Sequence, residues 1–187
     1  MTLSWPNHLL TLEEWEVLPE DGALRLELAE GVLVMSPQPF SWHQKAGMRL
    51  GYRLDEQLPS RLTALTDVEV VLAQRPLTIR VPDVIVTRTA RYEANPPRYP
   101  AADVVLAVEV LSDGTRRIDR VLKFSEYADA GIPHYWIVDL DPPTTLTAYL
   151  LVDGGYELAA ETTGSVTLDV TGHAVTLDLD ALIRRWT

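Results

Sequence analysis

The stretch ADVVLAVEVL (102–111) limits the fold of this chain more than any other. Successive side chains of a strand point to opposite faces, so a one-sided strand alternates apolar with polar residues. Here both parities are apolar. A strand of this kind has to be covered on both faces, as in the centre of a layered α/β structure. Within VVLAVEVL (104–111) one residue, Glu109, breaks the run. A buried, unpaired Glu109 would cost several kcal/mol or take up a proton. It therefore calls for a compensating charge, or for water at a strand end.

The flanking segments build outwards from this strand. Thr11 with Glu14 three residues on is a capping-box signature for a short helix over 11–18. LRLELAEGVLVMSP (24–37) reads as a hairpin turning near Glu30-Gly31, with Leu24, Leu26 and Leu28 alternating with Arg25 and Glu27. Residues 42–58 have helical apolar spacing at Met48, Leu50, Leu54 and Leu58. Three strand-like runs follow: 63–73, 77–87 with an internal proline, and 102–111. A helix is predicted over 115–131, with Ile118, Val121, Leu122 and Ser125 on one face and Gly131 as its stop. A strand over 133–140 completes the series. The remainder reads as antiparallel hairpins with turns at Asp153-Gly154-Gly155 and Thr171-Gly172-His173, then a short helix over 181–186.

The order helix, three strands, helix, strand predicts an α/β fold, more closely an α+β mixed sheet. A crossover helix favours a parallel pair, and the preceding strands suit an antiparallel meander. With no repeat, low-complexity segment or long linker, 1–187 is expected to be one domain. Its core would lie at about 42–140, with a helix and hairpin at 10–37 and hairpins at 144–180.

Composition removes several functions. The chain has no cysteine, which excludes thiolate metal sites, disulfides and a thiol nucleophile. There is no run of ~18 apolar residues and no basic leader, so a cytoplasmic protein without a membrane span is expected. No Gly-x-Ser-x-Gly, phosphate loop or dinucleotide fingerprint occurs. The net charge of −11 opposes strong non-specific binding to nucleic acid. Two segments, 74–98 and 114–123, are nevertheless locally basic. Only two of the 16 basic residues are lysines, Lys45 and Lys123.

Asp83 follows Pro82 near the start of a strand, and Glu109 lies late in the next one. If these strands are neighbours, two carboxylates meet near one sheet edge. Two hard oxygen donors with open positions suit Mg²⁺ or Mn²⁺, which complete their shells with water and phosphate. On the following helix Asp119, Lys123 and Tyr127 repeat at a four-residue spacing and share one stripe. Lys123 can then reach over the strand end. Blander roles stand beside these: an ion pair of Glu109 with Arg116, a helix-surface pair of Asp119 with Lys123, a packing role for Tyr127, a cap or packing role for His43, and a solvent-facing Glu27.

These residues in this order resemble the PD-(D/E)XK nuclease superfamily, and more closely the Uma-two family of restriction-endonuclease-like proteins. The resemblance rests on RLELAEGVLVMSP (25–37), His43, VPDVIV (81–86), VEVLSDGTRRIDRVLKFSEYADAGI (108–132) and HYWIVDL (134–140), and covers roughly residues 10 to 150. It implies a restriction-endonuclease-like core and Mg²⁺- or Mn²⁺-dependent hydrolysis of nucleic acid, DNA ahead of RNA. It implies Asp83 and Glu109 as metal ligands and Glu27 as an upstream acid that adds a ligand or positions water. Leu111 stands where the superfamily usually has its lysine, so Lys123 would supply the ammonium. Asp113-Gly114 also departs from the expected wording after EVL. A homodimer would help an acidic domain hold nucleic acid. The alternative is a nuclease-like fold that binds or assembles without catalysis.

Overall fold

The computed structural model describes residues 7–19, 22, 24–111 and 121–184. The run over 102–111 becomes a central strand, as its two apolar parities require. This strand, β8 (Val104–Val110), lies between the antiparallel β6 (Val84–Arg88) and the parallel β9 (His134–Asp139). Leu106, Val108 and Val110 point into the larger core, with Leu50 and Leu54 of helix α2 (Ser41–Gln57) and with Trp136. Ala107 and Leu111 point the other way, into a core with Tyr127 of helix α4 (Lys123–Asp129), Ile132 and Tyr135. Both faces are covered. The parallel β8–β9 pair spans the crossover that contains α4.

These strands belong to a six-stranded sheet of order β11-β10-β9-β8-β6-β3, with β3 (Leu62–Thr66), β10 (Thr145–Val152) and β11 (Gly155–Thr163). A five-stranded sheet has the order β2-β1-β5-β4-β7. Its members are β1 (Leu24–Ala29), β2 (Val32–Pro37), β4 (Val70–Gln74), β5 (Leu77–Arg80) and β7 (Tyr99–Pro100). Leu28, Val71, Leu77 and Ile79 form its small core with Trp15 of helix α1 (Leu12–Trp15). A short α3 (Thr89–Glu93) follows β6. The hairpin of β12 (Ser165–Val170) and β13 (His173–Asp178) adds Val170, Val175 and Leu177 to the larger core.

The mixed α/β class, the hairpins and the parallel crossover agree with the sequence reading. Thr11 and Glu14 form the full capping box. The turns take left-handed backbone at Glu30-Gly31, Asp153-Gly154 and Thr171-Gly172, as tight hairpins require. Two runs differ. Residues 63–73 divide into β3 and β4, and 77–87 divide into β5 and β6, with each half in a different sheet. The second break falls at Val81-Pro82-Asp83. Proline cannot donate to a ladder, so a chain passing between sheets tolerates it there.

Two helix faces also differ. On α2 Leu50 and Leu54, with Leu58 at its C-cap, are buried as expected, but Met48 is 61% exposed, and His43, Ala46 and Gly47 complete the inward face. Small residues allow this close approach: a Cβ at Gly51 would lie 3.0 Å from Thr66 Cγ2. On α4 the inward face holds Lys123, Tyr127 and Ala128, while Val121 and Leu122 just before it are exposed. Ile118 lies outside the described residues. At the C-terminus the described residues hold a 3-10 turn over Asp180–Leu182 in place of the start of a helix.

Candidate active site at the end of the central strands

The ladder of β6 and β8 pairs Val84 with Val108, so one step further Asp83 stands across from Glu109. Each predicted carboxylate is nearly inaccessible, Asp83 at 3% and Glu109 at 2%. They come from chain segments 26 residues apart in sequence and meet where the chain passes between the sheets.

Each acid has its own partners. Asp83 Oδ2 accepts the Val110 backbone N–H at 2.7 Å and lies 3.1 Å from His43 Nε2. Asp83 Oδ1 accepts a 2.8 Å bond from Arg25. Glu109 Oε1 accepts from Lys123 Nζ at 2.9 Å and from the Tyr127 hydroxyl at 2.6 Å. Glu27 Oε1 accepts the Val81 N–H at 2.9 Å and lies 3.4 Å from Lys123 Nζ. Glu27 Oε2 accepts from Arg80 at 3.1 Å. Arg80 then reaches Glu126 of α4 through two bonds of 2.7 Å. Lys123 therefore bridges two carboxylates, and Arg80 bridges the smaller sheet to the helix that carries Lys123.

Electrostatics follow from this interleaving. Burial would raise the pKa of Asp83. The His43 hydrogen bond and the charges of Arg25, His43 and Lys123 outweigh it and hold the acid at about 2. Burial likewise opposes ionisation of Glu27, and Lys123 and Arg80 hold its pKa below the usual carboxylate range. For His43 burial lowers the pKa, but its bond to Asp83 prevails and the net shift is upward. The Tyr127 hydroxyl is raised well above its ordinary value, first by burial and then by Glu109, so it remains a donor.

Glu27, His43, Asp83, Glu109, Lys123 and Tyr127 are thus brought together. Arg116 and Asp119 lie outside the described residues. The sequence reading missed Arg25, Arg80 and Glu126. Arg25 shares a parity with Glu27 in β1 and so shares its face, which was the only available signal. The partners that bury this face are more than 50 residues away in sequence.

The donors suit a hard divalent cation: two carboxylates from adjacent strands, held ionised or hydrogen-bonded. Among the described residues no three His, Asp or Glu side chains form a metal cluster. The protein would therefore contribute Asp83 and Glu109, leaving the other positions to water and phosphate.

A mixed sheet with this acid pair at the ends of its central strands defines a restriction-endonuclease-like core. The sequence profile of the Uma2 family, described as putative restriction endonuclease, matches residues 11–180, and the chain belongs to that family. A crystal structure from Anabaena variabilis ATCC 29413, described as a putative nuclease belonging to DUF820, superposes with a TM-score of 0.71. It is 20% identical over 93% of this chain and 97% of that one, a likeness of fold. No curated protein matches the chain. By family and by fold the protein is nuclease-like. Among the described residues no helix is long and apolar enough to cross a membrane.

Proposed function

We propose that the protein hydrolyses phosphodiester bonds of nucleic acid, DNA ahead of RNA, using Mg²⁺ or Mn²⁺ held by Asp83 and Glu109. The observation that carries this reading is the placement of Asp83 across the ladder from Glu109, with Lys123 Nζ 2.9 Å from the latter. When bound, the cation would supply an activated water and neutralise charge developing on phosphorus. The protein's own groups do the rest. Tyr127 and Lys123 orient the Glu109 carboxylate. The Lys123 ammonium, held beside Glu109, would stabilise the negative charge added to the reacting phosphate. Glu27 holds Lys123 from the other side, and the Val110 N–H and His43 fix the rotamer of Asp83.

The test is divalent-metal-dependent cleavage of single- and double-stranded DNA and RNA. Asp83→Ala and Glu109→Ala are each expected to abolish turnover. Turnover that survives both substitutions would sink the reading.

A second reading has its own observation. Glu27, Asp83 and Glu109 each already accept a hydrogen bond from a basic side chain, Arg80, Arg25 and Lys123 in turn, so each acid has a counter-charge from the protein itself. That favours a nuclease-like module that binds or assembles without turnover, in which a homodimer would offset the acidic surface. Saturable binding to nucleic acid in the presence of a chelator, with no cleavage, supports this reading. Metal-dependent turnover lost in Lys123→Ala excludes it.

A further inference from the structure

Arg25 occupies an unusual position for a site of this kind. Its side chain, 14% exposed, makes three hydrogen bonds. One nitrogen donates to Asp83 Oδ1 at 2.8 Å, and the other donates to Asp67 Oδ1 at 3.0 Å and to the Val81 carbonyl at 2.6 Å. Asp83 is the acid proposed above to carry the metal. A guanidinium bonded to one of its oxygens competes with a divalent cation for the same negative charge, and the two cations repel one another.

Asp67 gives that competition a second outcome. Its side chain is 67% exposed, in contrast to the almost inaccessible Asp83, and it sits in a turn with left-handed backbone (φ 53°). The two carboxylates compensate the same arginine from opposite ends of one fork. Because Asp67 is already bonded, Arg25 can release Asp83 without giving up its other carboxylate. The bond to the Val81 carbonyl keeps the guanidinium near the point where the chain passes between the sheets.

We propose that Arg25 is an exchangeable counter-ion that sets the affinity of the Asp83–Glu109 site for divalent cations. It compensates both Asp83 and Asp67 in the metal-free protein, and releases Asp83 while keeping Asp67 when a cation binds. The inference rests on the metal-dependent reading above and adds to it a residue that regulates loading. The fork geometry matters, because a lysine ammonium is a single point charge and cannot hold the two carboxylates through separate nitrogens.

The test is Mn²⁺ binding by calorimetry on the full chain, without substrate, alongside the melting temperature of each chelator-treated variant. Arg25→Gln removes the competing charge and is expected to tighten Mn²⁺ binding by about tenfold or more. Asp67→Asn removes the alternative partner at an exposed turn that suits asparagine. It is expected to weaken Mn²⁺ binding about three- to tenfold with an unchanged metal-free melting temperature. The opposite directions separate exchange from simple structural damage, which would weaken binding in both variants. If Arg25→Gln does not fold, Asp67→Asn alone decides. Affinities unchanged in the variants while Glu109→Gln abolishes binding would overturn the counter-ion role and leave the metal reading standing. No Mn²⁺ binding in the wild type or either variant would overturn both.

Discussion

The two faces of β8 are built on different principles. Towards α2, Leu106, Val108 and Val110 join Leu50, Leu54 and Trp136 in an apolar core, and the polar contact of His43 with Asp83 lies at its edge, beside Val110. Towards α4, Ala107 and Leu111 begin a similar core, but Glu109 stands between them in sequence and is bonded to Lys123 and Tyr127. The first face is stabilised by area removed from water and depends on volume. The second contains charges whose desolvation has to be offset by every partner being in place. A strand can therefore be equally buried on both sides while only one side tolerates conservative change. The charged side is where the candidate chemistry lies.

The largest expected effect separates the two faces directly. Arg80 holds Glu27 and both oxygens of Glu126, and it is almost wholly buried. Arg80→Ala removes the guanidinium that Glu27 and Glu126 share and is expected to cost about 3–5 kcal/mol in urea unfolding. Adding Glu126→Leu to an Arg80→Met variant should recover much of that loss, since an apolar pair of similar volume needs no compensation. Leu54→Ala on the other face should cost a comparable ~2–5 kcal/mol through its cavity, with no such rescue available from a charge change. If Arg80→Ala costs no more than a surface substitution, the contrast between the faces is broken.

A smaller change probes one bond within the charged face. Tyr127→Phe keeps the ring packed against Tyr135, 5.1 Å between centroids, and removes the donor to Glu109. A lost bond to a buried charged group should cost about 1–3 kcal/mol. On the metal-dependent reading the same variant should raise Mn²⁺ affinity slightly, because a competing donor has gone from Glu109. Stability within experimental error of the wild type would show that the Glu109 carboxylate finds a replacement donor.

What could be read in advance divides along the same line. Glu109 was visible as the one charge in an apolar run, and the hairpin turns were visible because left-handed backbone restricts which residues fit. The class of fold followed from element order. Pro82 marked an interruption in 77–87, but the change of sheet there was hidden because hydrophobic periodicity continues across it: Ile79 and Val84 are both core residues, of different cores. On α2, Leu50, Leu54 and the C-cap Leu58 are inward as read, and only Met48 was misplaced; the rest of the face is marked by Ala46, Gly47 and Gly51, whose value lies in close approach and not in apolar area. Arg25 and Arg80 alternate with leucine or isoleucine and so read as solvent-facing. Only the tertiary arrangement shows that acids from distant segments cover them.

The subtlest test uses two histidines whose surroundings differ as the two faces do. His43 is bonded to Asp83, and although burial opposes its charge the net pKa is raised. His134, at the start of β9, is also buried, but only Asp169 opposes that effect and its pKa is lowered. The signs follow from linkage. A raised imidazole contributes stability that is fully present below its ordinary value near 6.5 and is lost as pH rises through the shifted value. A lowered imidazole contributes stability present above that ordinary value and lost as pH falls through the shifted one. Unfolding of the chelator-treated protein should therefore respond oppositely to the two substitutions. His43→Gln should cost most at pH 5 and least at pH 8, and His134→Gln the reverse. A cost of the same sign and pH dependence at both positions would mean that burial alone governs them, and that the Asp83 contact does not distinguish the charged end of the sheet from the apolar one.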